Sequence, residues 1–477
     1  MQIINLRRLV GGGGFLALAA VGLLLAPERG PDLAALQQRV AQLEQQAAAT
    51  HSAINTGDNA WVLVSAALVL MMTGPGLALF YGGLVRQKNV LSTMMHSMIL
   101  MAVVSLIWFV CGYSLAFGTG NFFCGNPLQY LFLHGVGGAP NPDYAPTIPH
   151  QSFMIFQLMF AIITPALISG AYAERIKFSA MLLFSALWML LVYCPLAHMV
   201  WGKGGLFNWA LGGSIPALDF AGGAVVHISS GVSALVCALV LGRREGYPQQ
   251  PMPPHNLVIS MTGAGLLWVG WFGFNAGSAL SAGTGASSAF AATHFATAAA
   301  AVSWITLEWL VGGKPSALGA ISGMVAGLVV ITPAAGFVSI PAAVAMGLIG
   351  GAICFLSATR LKAWLGYDDS LDAFGIHGVG GIVGALLTGL FASALVNPAI
   401  ASTFTRNGHP VSLEGGLTQF GHQAIAVAIT LVFAGLGSFL LLKLVQATVG
   451  LRPTASDEIE GLDLSQHGET AYHEAVQ

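Results

Sequence analysis

DFAGGAVVHISSGVSALV, residues 219–236, sets a single histidine in a run of apolar and small residues. After His227 no charged residue follows until Arg243. A second stretch, DSLDAFGIHGVGGIVGALL, residues 369–387, does the same with His377. In both, an aspartate stands eight residues ahead of the histidine: Asp219 before His227 and Asp369 before His377. Runs of this composition read as membrane spans. An ionisable side chain inside a span is expensive there, so it is read first as functional.

The rest of the chain supports a membrane setting. Of 477 residues, 55% are apolar and 8% charged. Soluble domains carry about 25% charged residues, so a soluble enzyme is excluded. The abundant glycine suits helices packed closely in lipid. A formal net charge of −2 points to no nucleic-acid partner. The five cysteines, Cys111, Cys124, Cys194, Cys237 and Cys354, follow no metal-ligand spacing and no disulfide framework. Only Cys124 falls in a loop, and neither a metal nor a cofactor is expected.

Crossing roughly 30 Å of hydrocarbon takes about 20 residues. Eleven apolar runs meet or approach that length: about 59–82, 92–116, 153–173, 178–200, 221–242, 256–275, 286–309, 317–332, 341–361, 373–396 and 420–446. The eighth is short. The expected fold is therefore all-α and polytopic, with eleven transmembrane helices. If the spans alternate, Arg86, Lys88, Arg175, Lys177, Arg243, Arg244, Lys314, Arg360, Lys362, Lys443 and Arg452 share one side. Only Lys203 and Arg406 fall between spans on the other. This asymmetry makes the first side cytoplasmic. The first core span then starts outside and the C-terminus lies in the cytoplasm.

The ends have their own character. Residues 1–26 join a basic start to an apolar run and read as a signal peptide or an uncleaved anchor. Within the extracytoplasmic extension, residues 27–56, Leu33, Leu36, Val40, Leu43 and Ala47 keep a 3-4-3-4 spacing. That pattern lasts about two heptads, so a polar helix or loose linker is expected rather than a coiled coil. The membrane domain spans 57–450. Residues 451–477 are polar and acidic and form a cytoplasmic tail, which composition alone reads as a solvated, disordered end.

The repeated Asp-to-His spacing joins span 5 to span 10. A unit of five spans repeated once must be inverted, because five is odd, and five-plus-five inverted repeats mark transporters with a site near the midplane. Eight residues at a rise of 1.5 Å carry each histidine about 12 Å inward from its aspartate. The two imidazoles then approach the midplane from opposite faces. His96, His198, His294 and His422 lack such a matched partner or lie nearer span ends, and read as structural.

Three segments meet at one outer vestibule: FQLMF (156–160), HMVWGKGG (198–205) and WFGFNAGSA (271–279). They bring Phe160, Trp201, Phe274 and Ser278 together. Aromatic rings at span ends are ordinarily interface anchors. With a hydroxyl beside them they also form a cage for an ammonium-type cation, at about 0.5–2 kcal/mol per ring. Asp219 at the mouth of span 5 either attracts cations or caps that helix. No charged residue follows on the path to the histidines. A bare cation would meet a large desolvation cost there and a small neutral molecule would not.

These residues resemble the ammonium transporter (Amt/Mep/Rh) family over about residues 57–475. The motifs are GPGLALFYGGLVRQKNVLS (74–92), GYSLAFGTGN (112–121), GAYAERIKFSA (170–180), PLAHMVWGKGG (195–205), ALDFAGGAVVHI (217–228), GWFGFNAGSA (270–279), GKPSALGAISGMVAGLVVITPAAG (313–336), DAFGIHGVGGIVG (372–384) and EGLDLSQHGETAY (460–472). The resemblance implies a homotrimer of eleven-helix protomers in the lipid bilayer, each with its own ammonium/ammonia pore. It assigns outer recruitment to Phe160, Trp201, Phe274 and Ser278, with Asp219 in support. Phe160 and Phe274 form the gate, His227 and His377 line the pore, and Gln157 and Trp271 flank the path. The tail resembles a docking segment for a PII-type nitrogen-signalling protein. Trp201 and Ser278 fit the bacterial Amt branch better than the Rh branch. Residues 27–56 match no motif of the family.

The expected mechanism is capture of ammonium, loss of its proton near the phenyl gate, and passage of ammonia along the imidazoles. One alternative is an ammonium sensor signalling through the tail, against which the tail's length of under 30 residues counts. The other is a redox protein with His227 and His377 as haem ligands, which a purified protein without a Soret band removes.

Overall fold

The computed structural model describes residue 34 and residues 36–42 and 54–472. The chain divides into two units, 1–53 and 54–477. In the first, residues 36–42 are helical, with Leu36 half-buried and Val40 50% exposed. The signal or anchor stretch and the other members of the heptad pattern lie outside the described residues.

Among the described residues of the second unit, ten helices are long and apolar enough to cross a membrane. In chain order these are α1 (Thr56–Leu84), α2 (Gln87–Phe117), α3 (His150–Tyr172), α4 (Phe178–Trp201), α5 (Gly223–Leu241), α6 (Leu257–Gly277), α7 (Thr284–Gly312), α9 (Ile340–Leu365), α10 (Phe374–Phe391) and α11 (Leu417–Thr448). Between α7 and α9 lies α8, Ala317–Ile331, apolar but only 15 residues long. All eleven expected runs are helical, and the eighth is the short one. The largest boundary shifts are five residues, at the start of α2 (expected about 92, observed Gln87) and the end of α10 (expected about 396, observed Phe391).

Polar residues start several of these helices. Asn55, Asn256 and Ser316 accept from the first free backbone N–H groups of α1, α6 and α8. Those donors have no partner within their own helices. α3 runs through the middle, with every residue from Leu158 to Tyr172 buried. The outer faces are also apolar: Val258 is 73% and Leu310 77% exposed. A molecule oily both inside and outside matches a lipid solvent.

At one end of the bundle the arginines predicted to share a side do come together. Glu174 is bound by Arg86 (3.1 Å) and Arg244 (2.9 Å), and Arg244 also grips Asp368 (2.8 Å). Both carboxylates titrate below their ordinary range. Burial alone would raise them, but Arg244 and Arg86 outweigh it at Glu174, as Arg244 and Arg175 do at Asp368.

The tail differs from the disordered end that its composition suggested. It forms α12 (Ala455–Glu460) and α13 (Leu462–His467) against this same end. Asp463 accepts from the N–H groups of Leu91 (3.0 Å) and Ser92 (2.8 Å), and Asn89 Oδ1 accepts from Leu462 N (2.8 Å). Arg452 pairs with Glu458 at 2.6 Å. Asp457 and Asp463 are thus spent on helix starts and Glu458 on an arginine, which composition cannot reveal.

Candidate functional site

The two histidine segments are built alike. Asp219 accepts from the backbone N–H groups of Gly222 (2.8 Å), Gly223 (2.6 Å) and Ala224 (2.7 Å). Asp369 accepts from Phe374 N at 2.7 Å. In each case the aspartate caps the residue five positions on, and the histidine follows three later. Each histidine then sits in a widened helical turn, Gly223–Ile228 or Phe374–Gly378. His227 N bonds back to Gly222 O at 3.1 Å, one residue further than in an α-helix. Gly222 holds φ +112°, which a residue with a Cβ rarely adopts, and so lets the chain turn into α5.

α5 and α10 cross at touching backbones. A Cβ on Gly231 would lie 2.1 Å from Gly378 N. That approach brings the two imidazoles into contact, with Nδ1 of His227 3.3 Å from Nδ1 of His377. The rings are nearly parallel, with centroids 5.3 Å apart and planes 16° apart. Both side chains are buried, at 1% and 4% exposure. The separation perpendicular to the path, which spacing alone left undetermined, is therefore a hydrogen bond. Two neutral imidazoles satisfy it only if one Nδ1 carries the proton and the other accepts. Nε2 of His227 is buried without a partner among the described residues.

An aromatic column leads to this pair. Trp271 stacks on His227 (5.4 Å, 16°) and is fixed by Nε1 donating to Thr332 Oγ1 at 2.9 Å. Phe274 lies 6.0 Å from His227, and Phe160 covers Phe274 at 4.3 Å. Trp201 meets Phe160 edge-on at 5.8 Å. Above these rings opens a cavity of about 190 Å³ lined by Gln157, Phe160, Trp201 and Ser278, among others. Ser278 donates its hydroxyl to Phe274 O (2.8 Å), so its oxygen lone pairs remain to accept. Gln157 Oε1 is buried and has no hydrogen-bond partner among the described residues. The sequence-predicted residues Phe160, Trp201, Phe274, Ser278, Gln157, Trp271, His227 and His377 thus lie together in one contiguous group.

Asp219 stands apart from that path in its chemistry. Its carboxylate is occupied by three backbone donors, it is 6% exposed, and it does not line the cavity. Burial raises its pKa despite those bonds. Its carbonyl oxygen accepts from Trp201 Nε1 at 3.0 Å, which ties the cage tryptophan to the cap of α5. Sequence reasoning passed over Thr332, which orients Trp271. It also passed over Gln423, which bonds the backbone N and O of Leu218 at 2.7 and 2.8 Å. Lone polar residues inside apolar runs were the available signal. Of the histidines read as structural, His96 packs edge-on to Tyr172 with neither ring nitrogen hydrogen-bonded among the described residues, His422 bonds Gln419, and His294 packs beside Trp268.

With this geometry in hand, similarity to known proteins becomes informative. A family model described as Ammonium Transporter Family matches residues 60–472. An ammonium transporter of Bacillus subtilis (strain 168) is 50% identical over 420 residues, covering 88% of this chain and 99% of the relative. Ammonium transporter Amt1 of Archaeoglobus fulgidus is 42% identical, covering 88% of this chain and all of the relative (100%). The crystal structure of Saccharomyces cerevisiae Mep2 superposes with TM-score 0.76 at 37% identity, covering 84% of this chain and 91% of that one. A structure described as a sensor Amt protein reaches the same TM-score, 0.76, at 27% identity, covering 86% and 98%.

Proposed function

The chain belongs to the ammonium transporter family, and from that premise we propose a path for ammonium through it. The cation enters the aromatic vestibule, gives up its proton at the phenyl pair, and passes as ammonia along the two imidazoles. The observation that carries this reading is the unbroken column from Trp201 through Phe160 and Phe274 to His227, ending in the 3.3 Å contact with His377.

Each residue has a physical task in this scheme. Trp201 and Phe160 face the cation with their rings, and Ser278 accepts one of its N–H bonds. Asp219 acts through position, holding the α5 cap and Trp201. Phe160 and Phe274 shut out water, so that a charged substrate meets the desolvation cost and a neutral one does not. Gln157 and Trp271 flank the entrance and the pore. The imidazole pair offers ammonia a donor and an acceptor while staying neutral. The released proton has a route along the same pair. A net current per substrate distinguishes that route from return to the vestibule.

The wider setting is part of the same proposal. The first ten of eleven spans form a five-plus-five inverted repeat, a reading supported by the matched Asp-cap-His geometry. The vestibule faces outward and the arginine-rich end faces the cytoplasm of a bacterial inner membrane. Three protomers associate, each with its own pore, and the docked tail offers a PII-type signalling protein its landing site beside α2.

Transport current on solid-supported membranes tests the core of this. His227→Ala and His377→Ala are each expected to abolish ammonium-selective current. Wild-type current and selectivity in both variants would overturn the histidine role. Tight methylammonium binding without uptake by the wild type would favour a sensor instead.

A further inference from the structure

His198 lies one turn before Trp201, in the last turn of α4. It is fully buried. Its Nδ1 is 3.0 Å from the carbonyl oxygen of Ala116, at the end of α2, and its Nε2 is 2.8 Å from that of Asn121, in the loop after α2. Carbonyl oxygens only accept. A neutral imidazole has one N–H, so it can satisfy one of these contacts and must press a lone pair against the other. An imidazolium has two N–H groups and satisfies both. The site also lies where two helices end, α2 at Phe117 and α4 at Trp201. The negative ends of both helix dipoles favour a cation there. We propose that His198 is held as an imidazolium and acts as a positioning residue for the recruitment site. It draws the end of α2 and the following loop onto α4, and so fixes the turn that presents Trp201 to the substrate.

The neighbouring groups leave the carbonyls as the partners of this charge. α2 brings Tyr113, whose hydroxyl is bonded to His150 Nε2, and the loop brings Cys124, whose thiol donates to Leu115 O at 3.6 Å. α4 itself brings Cys194, beside Met189 Sδ, and leads to Lys203, paired with Asp143 at 2.8 Å. Before α5 stands Asp219, bonded to backbone N–H groups. When the ring loses its second proton, one carbonyl loses its donor and the clamp on α4 weakens. Substrate capture then falls as pH rises, whereas the pore below is untouched.

This role rests on the reading of Trp201 as part of the recruitment site, and the test separates the two. Full-length protein in lipid bilayers, labelled with 15N in histidine rings and 13C at asparagine carbonyls, picks out this ring through its proximity to the Asn121 carbonyl and needs no variant. Both ring nitrogens are expected to carry protons at pH 7, because each faces a carbonyl oxygen that can only accept. A single protonated nitrogen at pH 7 overturns the proposal. In uptake assays, half-saturation expressed per methylammonium cation is expected to rise roughly threefold to tenfold as that second proton is lost, the scale of one hydrogen bond. Maximal rate should change less. His198→Gln should show the raised value at every pH. Where that variant does not fold, the wild-type profile decides, and flat half-saturation across the observed titration overturns the positioning role. Failure of the recruitment reading shows separately, as unchanged half-saturation in Trp201→Leu.

Discussion

The segments Asp219–His227 and Asp369–His377 share one local device and stand in opposite surroundings. In both, a buried carboxylate caps the backbone five residues on and a widened turn presents an imidazole. Around Asp219 the supports are neutral: three backbone N–H groups, the indole of Trp201 on its carbonyl, and the amide of Gln423 on the preceding residue. Around Asp369 they are ionic. Lys362 donates to its carbonyl (2.7 Å), and the neighbouring Asp368 is locked to Arg244, itself bound to Glu174. The geometry needed for a histidine pair can thus be met in two ways. Beside the cavity that Trp201 and Phe160 line, fixed neutral dipoles hold the helix. At the other end, positive residues are tolerated and become the scaffold.

If that contrast is real, the two supports should fail by different amounts. Asp368→Ala leaves Arg244 buried with one of its two carboxylates gone, and breaking a buried ion pair from one side costs about 3–5 kcal/mol. Asp219→Ala removes a cap from α5 at a cost of about 0.5–2 kcal/mol. Heat denaturation of the solubilised protein should therefore show the larger loss for Asp368→Ala, and the reverse order would break the comparison. Where the segments meet, Gly231→Ala should be intermediate. Its Cβ would press on the backbone of Gly378, and overpacking of this kind costs about 1–3 kcal/mol. Because the same shift separates the imidazoles, uptake should fall roughly tenfold or more even where the protein still folds. Gly378→Ala is the milder control, since its Cβ presses mainly on the Phe374 ring at 2.6 Å and meets the Gly231 backbone only at 3.3 Å.

The sequence disclosed the parts of this molecule that depend on period and composition. Eleven helical runs, the short eighth one, and the paired histidines followed from apolar length and a repeated spacing of eight. It could not disclose lateral geometry, because spacing measures distance along a helix and not between helices. The 3.3 Å contact depends on Gly231 and Gly378 letting two backbones touch. Charge was misleading in two places. The acidic tail looked solvated, yet Asp463 serves as a cap for α2. The arginines looked like a topology signal alone, yet Arg86 and Arg244 share a buried glutamate. His198 read as structural because it has no matched partner elsewhere in the chain. Its two carbonyl acceptors come from Ala116 and Asn121, distant in sequence.

The smallest effect sharpens the comparison most, because it isolates a single contact on the neutral side. In Ser278→Ala the rings of Trp201 and Phe160 remain, and so does every supporting bond around Asp219. One acceptor for the cation is lost, together with the hydroxyl's own bond to Phe274 O. One hydrogen bond is worth about 0.5–1.5 kcal/mol, so half-saturation for methylammonium should rise about twofold to tenfold. Maximal rate should hold, because the phenyl pair and the imidazoles are untouched. If the maximal rate fell instead and half-saturation held, Ser278 would be acting on the gate through Phe274 and not on the cation. The neutral surroundings of Asp219 would then serve the gate rather than capture.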